Sequence, residues 1–397
     1  MVFRGQPVLL SFFSSAIAKL DGHRLKGMNL RAYKANAAKD PMLKKSESNE
    51  PVDTRPAHER ILSVACPLGD KAYAEQLQVK TNDVKEVIEK LRKDFMKQNY
   101  FFKSHGIIEE ELAQLDEFIG SPVVNGYRNK CEFTVGKHPE TDETTVGFRL
   151  ASYKRGSIAV VDIDHLPIVS ASMKSVAKHF QTFVRASGYE PYNNIAQTGH
   201  WKQLSVRESV RNDDLLVWAV IHPQDINEEN KKTIKDTLIQ HFENFEPKVT
   251  SLNIQFFGQR QKGKPEPPVE CVKGKTFIEE RLMDLTFKIS PQAFFQINTE
   301  AAEKLYQQVS KIASLDKDTV LYDVCCGTGT IGLCLSSEVK EVHGVDIVEE
   351  AIKDANANAK ANGVTNAEFH AGEQKTRYFK ACSLIFLRNF EGLQKIF

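Results

Sequence analysis

The sequence predicts an α/β protein, in which a β-rich central region is followed by a parallel β-loop-α-β segment. Short runs of alternating polar and apolar residues, separated by turn residues, fill residues 122–286, which is typical of a mostly antiparallel sheet. Further on, the apolar run TVLYDV is followed by a glycine-rich loop, a helix and a second strand that ends at Asp346. At roughly 150 residues per domain, the 397 residues correspond to two or three domains.

The composition is that of a globular protein. Hydrophobic residues make up 41% and charged residues 26% of the chain, with 22 Gly and 15 Pro, which excludes a disordered or collagen-like polymer. The 53 basic and 52 acidic residues leave a net charge of +1, so a nucleic acid would have to be bound by a local basic patch. No apolar stretch approaches the ~20 residues needed to cross a bilayer, so we expect no membrane partner.

The seven cysteines form an odd set without C-x-x-C spacing, which argues against a disulfide framework and against a zinc site. We therefore expect no bound metal and a reducing compartment, the cytoplasm or the nucleus rather than the mitochondrion. The sequence does not determine the oligomeric state.

The first twenty residues allow two interpretations. They carry Arg4, an apolar run from Val8 and no acidic residue before Asp21, as in a signal or transit peptide, or they form an amphipathic helix over residues 12–20. A turn at residues 21–23 and a strand over residues 28–33 follow. This helix, turn and strand resemble the end of an RNA-recognition motif, without the middle strands whose aromatic residues stack on bases. We therefore assign residues 1–39 to a remnant of that motif and do not expect it to bind RNA in the usual way.

Residues 40–60 mix charge, Ser and Pro without periodicity, which predicts a linker. A central domain is then predicted over residues 61–288, with a helix near its start. That helix would begin at Asn82 or Asp83, which are placed to cap it. Its apolar residues recur at one-sided helical spacing and predict a packing role for the following side chains: Val84, Val87, Ile88, Leu91 and Phe95.

Basic and aromatic residues form three clusters on or beside the predicted central strands. The clusters are residues 127–130, Arg149 with residues 153–155, and residues 200–202 with Arg207. Arg and Lys neutralise phosphates while flat rings stack on unpaired bases, so the pattern favours RNA binding, with a solvated sheet face as the alternative. His200 has no second ligand at metal spacing. The candidate RNA-binding residues are Arg128, Lys130, Arg149, Trp201, Lys202 and Arg207.

A glycine-rich loop follows the strand TVLYDV. Gly327, Gly329 and Gly332 fit G-x-G-x-x-G, in which the absent Cβ lets the backbone turn sharply and approach a nucleotide. Asp346 follows at close to the ~20-residue spacing of a carboxylate that binds ribose hydroxyls. Together they predict a Rossmann-like nucleotide-binding domain.

Two chemistries use this arrangement, methyl transfer from S-adenosylmethionine and oxidoreduction with NAD. Asp323 gives the opening D-x-x-x-G-x-G, which looks like motif I of methyltransferases, and a helix with Ala351, Ala355 and Asn358 follows Asp346. A dehydrogenase would more often have an apolar residue at position 323 and a second mononucleotide half. The pattern therefore favours the methyl donor, and an NAD-dependent oxidoreductase remains the alternative.

Several further motifs carry a resemblance to a known family. The segment ISPQAFFQIN at residues 289–298, with CEFTVG, VGFRL, GHWKQLSVR and DVCCGTGTIGL, resembles the RNA uracil-5-methyltransferases over residues 67–372. The resemblance implies a partial class I methyltransferase domain over residues 289–372, S-adenosylmethionine as cofactor, tRNA as partner, and methylation of C5 of a T-loop uridine. It also implies a set of cofactor-binding residues: Gln296, Cys325, Gly327, Gly329, Thr330 and Asp346.

The expected chemistry requires a thiolate and a base. A cysteine must add to C6 of uracil before C5 can take the methyl group, and a base must then remove the C5 proton. In the family, the nucleophile lies in a Ser-Cys-Asn-Pro motif, the base is a Glu near the C-terminus, and the Asp at the cofactor edge lies in an Asp-Pro-Pro-Arg motif. This sequence contains none of the three. Residues 373–397 match nothing in the family, and Cys382 there lacks the fixed, electropositive setting of a nucleophile. We therefore expect no catalytic residue and no catalysis by this chain, with a non-catalytic tRNA-binding protein as the alternative.

A doubly wound sheet is ordered 3-2-1-4-5 around its first strand. If the sheet stops after its third strand, near residues 367–369, TVLYDV has an open edge. We therefore expect an unstable cofactor domain, unless the apolar residues 384–387 cover that edge.

Overall fold

The computed structural model describes Asp21, Arg24–Leu25, Met28–Asn29 and residues 53–98, 115–150, 158–209, 211–259 and 266–372. The chain divides into two compact units, residues 1–51 with 151–157 and residues 52–150 with 158–397. In the first unit, β1 (Arg24–Leu25) and β2 (Met28–Asn29) pair as an antiparallel hairpin. The predicted helix over residues 12–20, most of the strand predicted over residues 28–33, the basic residues 153–155 and the tail from residue 373 lie outside the described residues. The elements below all belong to the second unit.

The central region is built on a seven-stranded sheet with the order β5-β4-β3-β6-β7-β8-β9. Every neighbouring pair is antiparallel except β7 and β8, which are parallel. The predicted mostly antiparallel sheet is therefore confirmed. Its strands are β3 (Lys130–Lys137), β4 (Thr144–Arg149), β5 (Val160–Val161), β6 (Trp201–Glu208), β7 (Leu215–Ile221), β8 (Ser251–Phe256) and β9 (Glu270–Gly274).

Two helices cover one face of this sheet. α3 (Ala171–Ala186) confirms the helix predicted near residues 169–187, and α4 (Glu228–His241) lies beside it. α3 begins at Ser170, whose Oγ accepts a hydrogen bond from Met173 N at 3.2 Å and so satisfies one free amide of the first turn. The apolar side of α3 and the inward residues of β6 and β7 form the main core. Each fully buried large apolar side chain there contributes about 1.5–3 kcal/mol to stability.

The other face of the sheet is partly polar and meets the C-terminal part of the chain. In the antiparallel register, Arg207 of β6 lies opposite Leu216 of β7, and Ser205 lies opposite Trp218. Leu216 packs into a second core with the hairpin of β10 (Ile278–Leu282) and β11 (Leu285–Ile289) and with Phe295 beyond it. The central sheet and the cofactor-binding region predicted from the sequence therefore share apolar packing.

Two helices precede the sheet, α1 (Ala57–Ala65) and α2 (Tyr73–Gln98). The predicted cap at Asn82 is wrong, because α2 begins nine residues earlier and the Asn82 side chain accepts a hydrogen bond from Gln78 within the helix. The apolar stripe that predicted a packing helix is about half exposed at Val87, Leu91 and Phe95. Helical periodicity shows which residues share a face, but it does not identify a partner for that face.

The C-terminal part is a parallel β-loop-α-β unit, as predicted. Its strands have the order β12-β13-β14, and its elements are α5 (Thr299–Ala313), β12 (Val320–Val324), α6 (Thr330–Leu335), a 3-10 turn (Ser336–Glu338), β13 (Glu341–Asp346), α7 (Glu349–Ala361) and β14 (Ala367–Ala371). Among the described residues β12 pairs with β13 alone, so it is an edge strand there. Residues 384–387 lie outside the described part, and the instability of this domain stays a prediction.

Candidate functional site

The glycine-rich loop at residues 325–329 joins β12 to α6. Cys325, Gly327 and Gly329 all have positive φ, at 65°, 55° and 75°. A Cβ at Gly329 would lie 2.8 Å from the ring of Phe369, whereas a Cβ at Gly327 would meet nothing within 4 Å. Gly329 is therefore needed for packing beneath the loop, and Gly327 leaves open space above it where a nucleotide could approach the backbone.

Asp346, the last residue of β13, is fixed beside that open space. Its Oδ2 accepts a hydrogen bond from Gly327 N at 2.9 Å, and its Oδ1 accepts one from Val348 N at 2.9 Å. Each carboxylate oxygen can accept a further hydrogen bond. The carboxylate is thus held next to the loop and can still receive two hydroxyl groups of a ligand.

Asp323 has a structural part in the loop. Its Oδ2 accepts a hydrogen bond from Gly332 N at 3.1 Å, which ties the start of α6 to β12. Burial raises the pKa of Asp323, and the nearby charge of Asp346 adds to the increase. Thr330, the first residue of α6, hydrogen-bonds through its side chain to the Tyr306 hydroxyl of α5. These contacts anchor the loop to its surroundings.

Two cysteines near the loop are buried. Burial raises the pKa of Cys326 to about 12, with a further contribution from the charge of Asp323, and burial also raises the pKa of Cys334 to about 12. Only on the order of one thiol in 10⁵ is then ionised at neutral pH. Neither thiol suits a nucleophile. Cys325 is exposed, and Cys382 lies outside the described residues.

Exposed apolar side chains lie at the end of β12 and directly after β13, the strands that carry the loop and Asp346. They are Val324, 41% exposed, Ile347, 70% exposed, and Val348, 52% exposed. They offer apolar contacts to a flat ring bound at this edge. They are not among the residues predicted from the sequence, although their position at or directly after the end of an apolar strand run was a usable signal.

Gln296 lies in the segment before α5. It is half-buried, and its backbone carbonyl accepts a hydrogen bond from Asn129 Nδ2 at 2.8 Å. Two residues later, Asn298 caps α5 by accepting a hydrogen bond from Ala301 N at 3.0 Å. The segment is therefore held between the central sheet and the helix that contacts α6.

Three of the candidate RNA-binding residues lie on neighbouring parts of the sheet. Arg128 and Lys130 stand at the start of β3, where Arg128 Nε donates to the Lys130 carbonyl at 3.3 Å. Lys130 Nζ pairs with Glu132 at 2.8 Å. Arg149 ends the adjacent strand β4. All three are partly exposed, so they remain candidates.

Two other candidates are corrected by the structure. Trp201 is fully buried, packs edge-on against Phe180 and Phe183, and donates its indole N–H to Ser187 Oγ at 2.9 Å. Arg207 is 2% exposed, and its Nη2 donates to the Ala293 carbonyl at 3.0 Å. Both side chains are covered by packed segments, one on each face of β6, so neither is available to RNA.

Lys202 is separated from the other basic residues. Arg207 lies five positions further along β6, about 17 Å away at ~3.3 Å per residue. Its Nζ donates to the carbonyls of Phe257 and Gly258 at 3.3 and 2.9 Å, and burial lowers its pKa. Beside it the rings of Tyr192 and His222 stack with centroids 4.6 Å apart. This ring pair joins residues distant in the sequence, so no local pattern predicted it.

Comparisons with known proteins agree with this geometry. A family model described as a methyltransferase domain matches residues 315–378. The human tRNA (uracil-5-)-methyltransferase homolog A is 38% identical over 369 residues, covering 90% of this chain. The mouse tRNA (uracil-5-)-methyltransferase homolog B is 32% identical over 364 residues, which cover 87% of this chain and 72% of the mouse protein. The chain belongs to the RNA uracil-5-methyltransferase family.

The chain spans 58% of the length of the human homolog A of this RNA uracil-5-methyltransferase family. A solved structure, the Pyrococcus abyssi tRNA (uracil-54, C5)-methyltransferase in complex with S-adenosyl-L-homocysteine, matches 64% of this chain and 58% of that one with a TM-score of 0.50 and 25% identity. The Rossmann-like methyltransferase fold is thereby established for the parallel unit.

Neither a membrane-spanning helix nor a metal-binding cluster is found among the described residues. None of their helices is both long and apolar enough to span a bilayer. Within the same ranges, no group of three or more His, Cys, Asp or Glu side chains is arranged to hold a metal ion.

Proposed function

We propose that this chain binds S-adenosylmethionine at the carboxyl edge of β12 and β13 and takes part in methylating C5 of a T-loop uridine in tRNA. One observation carries the proposal: the open space beside Gly327, with the carboxylate of Asp346 fixed to the Gly327 amide. The names of the relatives and the ligand of the Pyrococcus structure support the same cofactor and substrate class.

The residues at this edge fit such a cofactor. Asp346 would accept hydrogen bonds from the ribose hydroxyls, and Gly327 lets the ligand approach the backbone. Val348 and its apolar neighbours would contact the adenine ring. The bound cofactor supplies an electrophilic methyl group. The full proposed set is Gln296, Val324, Cys325, Gly327, Gly329, Thr330, Asp346, Ile347 and Val348.

We propose that tRNA contacts the basic residues at the β3–β4 end of the sheet. Arg128, Lys130 and Arg149 would neutralise phosphates there. Such contacts position the protein on the RNA but do not depend on the base sequence. The ion pair of Lys130 with Glu132 is partly exposed, and an RNA phosphate can compete for the ammonium group.

A second candidate function, binding of cofactor and tRNA without methyl transfer, is favoured by the thiols near the loop. Cys326 and Cys334 stay protonated at neutral pH because burial raises the pKa of each thiol to about 12. We therefore propose that the 397-residue polypeptide by itself binds both ligands without turnover. Incubation with tRNA and methyl-labelled S-adenosylmethionine tests this, and label transferred to tRNA would refute the inactivity.

Calorimetric titration tests the cofactor site. We expect heat with S-adenosylmethionine and none with NAD, and Asp346→Asn should weaken binding on the order of tenfold, since a charge-assisted hydrogen bond is lost. The matched control is Asp318→Asn, an exposed Asp before β12, which should bind as the unmodified chain does. Binding of NAD in place of S-adenosylmethionine would overturn the proposal.

A further inference from the structure

Two buried polar residues of the central sheet hold the segment that carries Gln296. Asn129 is 1% exposed and Arg207 is 2% exposed. They lie side by side in the sheet, because Lys130 pairs with Arg207 and Glu208 N donates to the Asn129 carbonyl at 2.9 Å. Both face the same stretch of chain, residues 293–299.

The contacts from these two residues extend along that whole stretch. Asn129 Nδ2 donates to the Gln296 carbonyl at 2.8 Å and to Thr299 Oγ1 at 3.0 Å, and Asn129 N donates to the Ile297 carbonyl at 2.9 Å. Arg207 Nη2 donates to the Ala293 carbonyl at 3.0 Å. The backbone on both sides of Gln296 is thereby fixed to the sheet, while the Gln296 side chain takes no part in these bonds.

Folding stability does not account for Arg207. Within the described part of the chain, its Nε and Nη1 are buried without a hydrogen-bond partner, and so is Asn129 Oδ1. Burial lowers the pKa of Arg207 to about 10, although the charges of Glu132 and Glu280 oppose that shift. A buried charge with incomplete hydrogen bonding destabilises a fold, and an apolar side chain of similar size is often better tolerated.

We propose that Asn129 and Arg207 are positioning residues, which hold residues 293–299 so that Gln296 is presented to S-adenosylmethionine. This inference rests on the proposed cofactor site. Their hydrogen bonds to the segment go to its backbone carbonyls and to Thr299 Oγ1, so they act on the cofactor through Gln296. They also join the strands that carry the proposed RNA contacts to the cofactor site.

The test measures cofactor affinity and thermal unfolding of the full chain for Arg207→Met, Arg207→Lys, Gln296→Ala and the double variant Arg207→Met with Gln296→Ala. We expect Arg207→Met to weaken S-adenosylmethionine binding on the order of tenfold, with the melting temperature unchanged or raised. Arg207→Lys, which keeps a charged donor for the Ala293 carbonyl, should recover most of the affinity. In the Gln296→Ala background, Arg207→Met should not weaken S-adenosylmethionine binding any further.

Asn129 is tested in the same way with Asn129→Ala, which removes the donor to the Gln296 carbonyl. Its matched control is Asn253→Ala, a buried Asn of the same sheet, whose Nδ2 bonds to Val217 and Ser251, away from this segment. Asn253→Ala should lower the melting temperature and leave affinity unchanged.

The outcomes separate this inference from the proposed function. If the unmodified chain does not bind S-adenosylmethionine, both are overturned. If it binds and Gln296→Ala weakens binding, but Arg207→Met and Asn129→Ala only lower the melting temperature, the positioning role is wrong and the cofactor site stands. Independent, additive losses in the double variant would likewise overturn the positioning role.

Discussion

Alanine at two glycines of the same loop should have different consequences, mainly for stability at Gly329 and mainly for cofactor binding at Gly327. At Gly329 the backbone has φ 75°, and a Cβ would lie 2.8 Å from Phe369 and 3.1 Å from the Ala355 Cβ. A left-handed non-glycine residue costs about 1–2 kcal/mol, and overpacking adds about 1–3 kcal/mol. Gly329→Ala should therefore lower the free energy of unfolding by about 2–5 kcal/mol, a large part of the ~5–15 kcal/mol of a typical protein.

At Gly327 the backbone has φ 55°, but the Cβ position has no neighbour within 4 Å. Gly327→Ala should therefore cost only the backbone strain of about 1–2 kcal/mol, while its methyl group occupies the space proposed for the cofactor. Urea unfolding measures the first effect and calorimetric titration with S-adenosylmethionine the second. The reasoning is refuted if Gly327→Ala destabilises the chain as much as Gly329→Ala, or if it binds the cofactor with unchanged affinity.

Three further changes test other parts of the structure. Trp201→Phe should lower the free energy of unfolding by about 1–3 kcal/mol, because the hydrogen bond to Ser187 is lost, and should leave tRNA affinity in a filter-binding assay unchanged. A large loss of affinity in the folded variant would restore Trp201 to the RNA contacts. Lys130→Ala should make the slope of log binding constant against log salt concentration, measured for tRNA, shallower by about one. An unchanged slope would show that Lys130 is not at the interface. The pKa of Glu303 lies below its ordinary value, chiefly because Arg211 donates hydrogen bonds to its carboxylate. This ion pair therefore stabilises the fold above about pH 4.5, the ordinary pKa of a Glu. Its contribution is lost as the pH falls through the lowered pKa. Arg211→Ala should therefore lower the melting temperature at pH 7, and this decrease should become smaller as the pH falls through the lowered pKa of Glu303. A decrease that does not change with pH would contradict the assignment.

The glycine-rich loop could be predicted from the sequence because its determinants are local. A strand, a glycine loop, a helix and a second strand follow one another along the chain, so the spacing between Gly327 and Asp346 already implies that strand ends meet. The structure adds the bond between them and the apolar side chains of Val324, Ile347 and Val348. The cofactor roles of these residues stay proposals.

The candidate RNA residues could be predicted less well, because burial depends on segments far away in the chain. Trp201 is covered by α3, and Arg207 is covered by residues about ninety positions later, which no pattern within β6 can show. Strand alternation alone would put both on one face, because they are six positions apart. The register shift between Trp201 and Gln203 brings them to opposite faces. Lys202 was grouped with them by sequence proximity, although an extended strand separates residues by more than ~3 Å per position.

Within the described ranges, one edge of β12 has no paired strand, so a further strand could pair with it there. In a doubly wound arrangement such a neighbour runs parallel, so its carboxyl end would emerge next to Cys325 and the open side of Gly327. A polypeptide that pairs there would place the side chains at the end of its strand beside the space proposed for the cofactor.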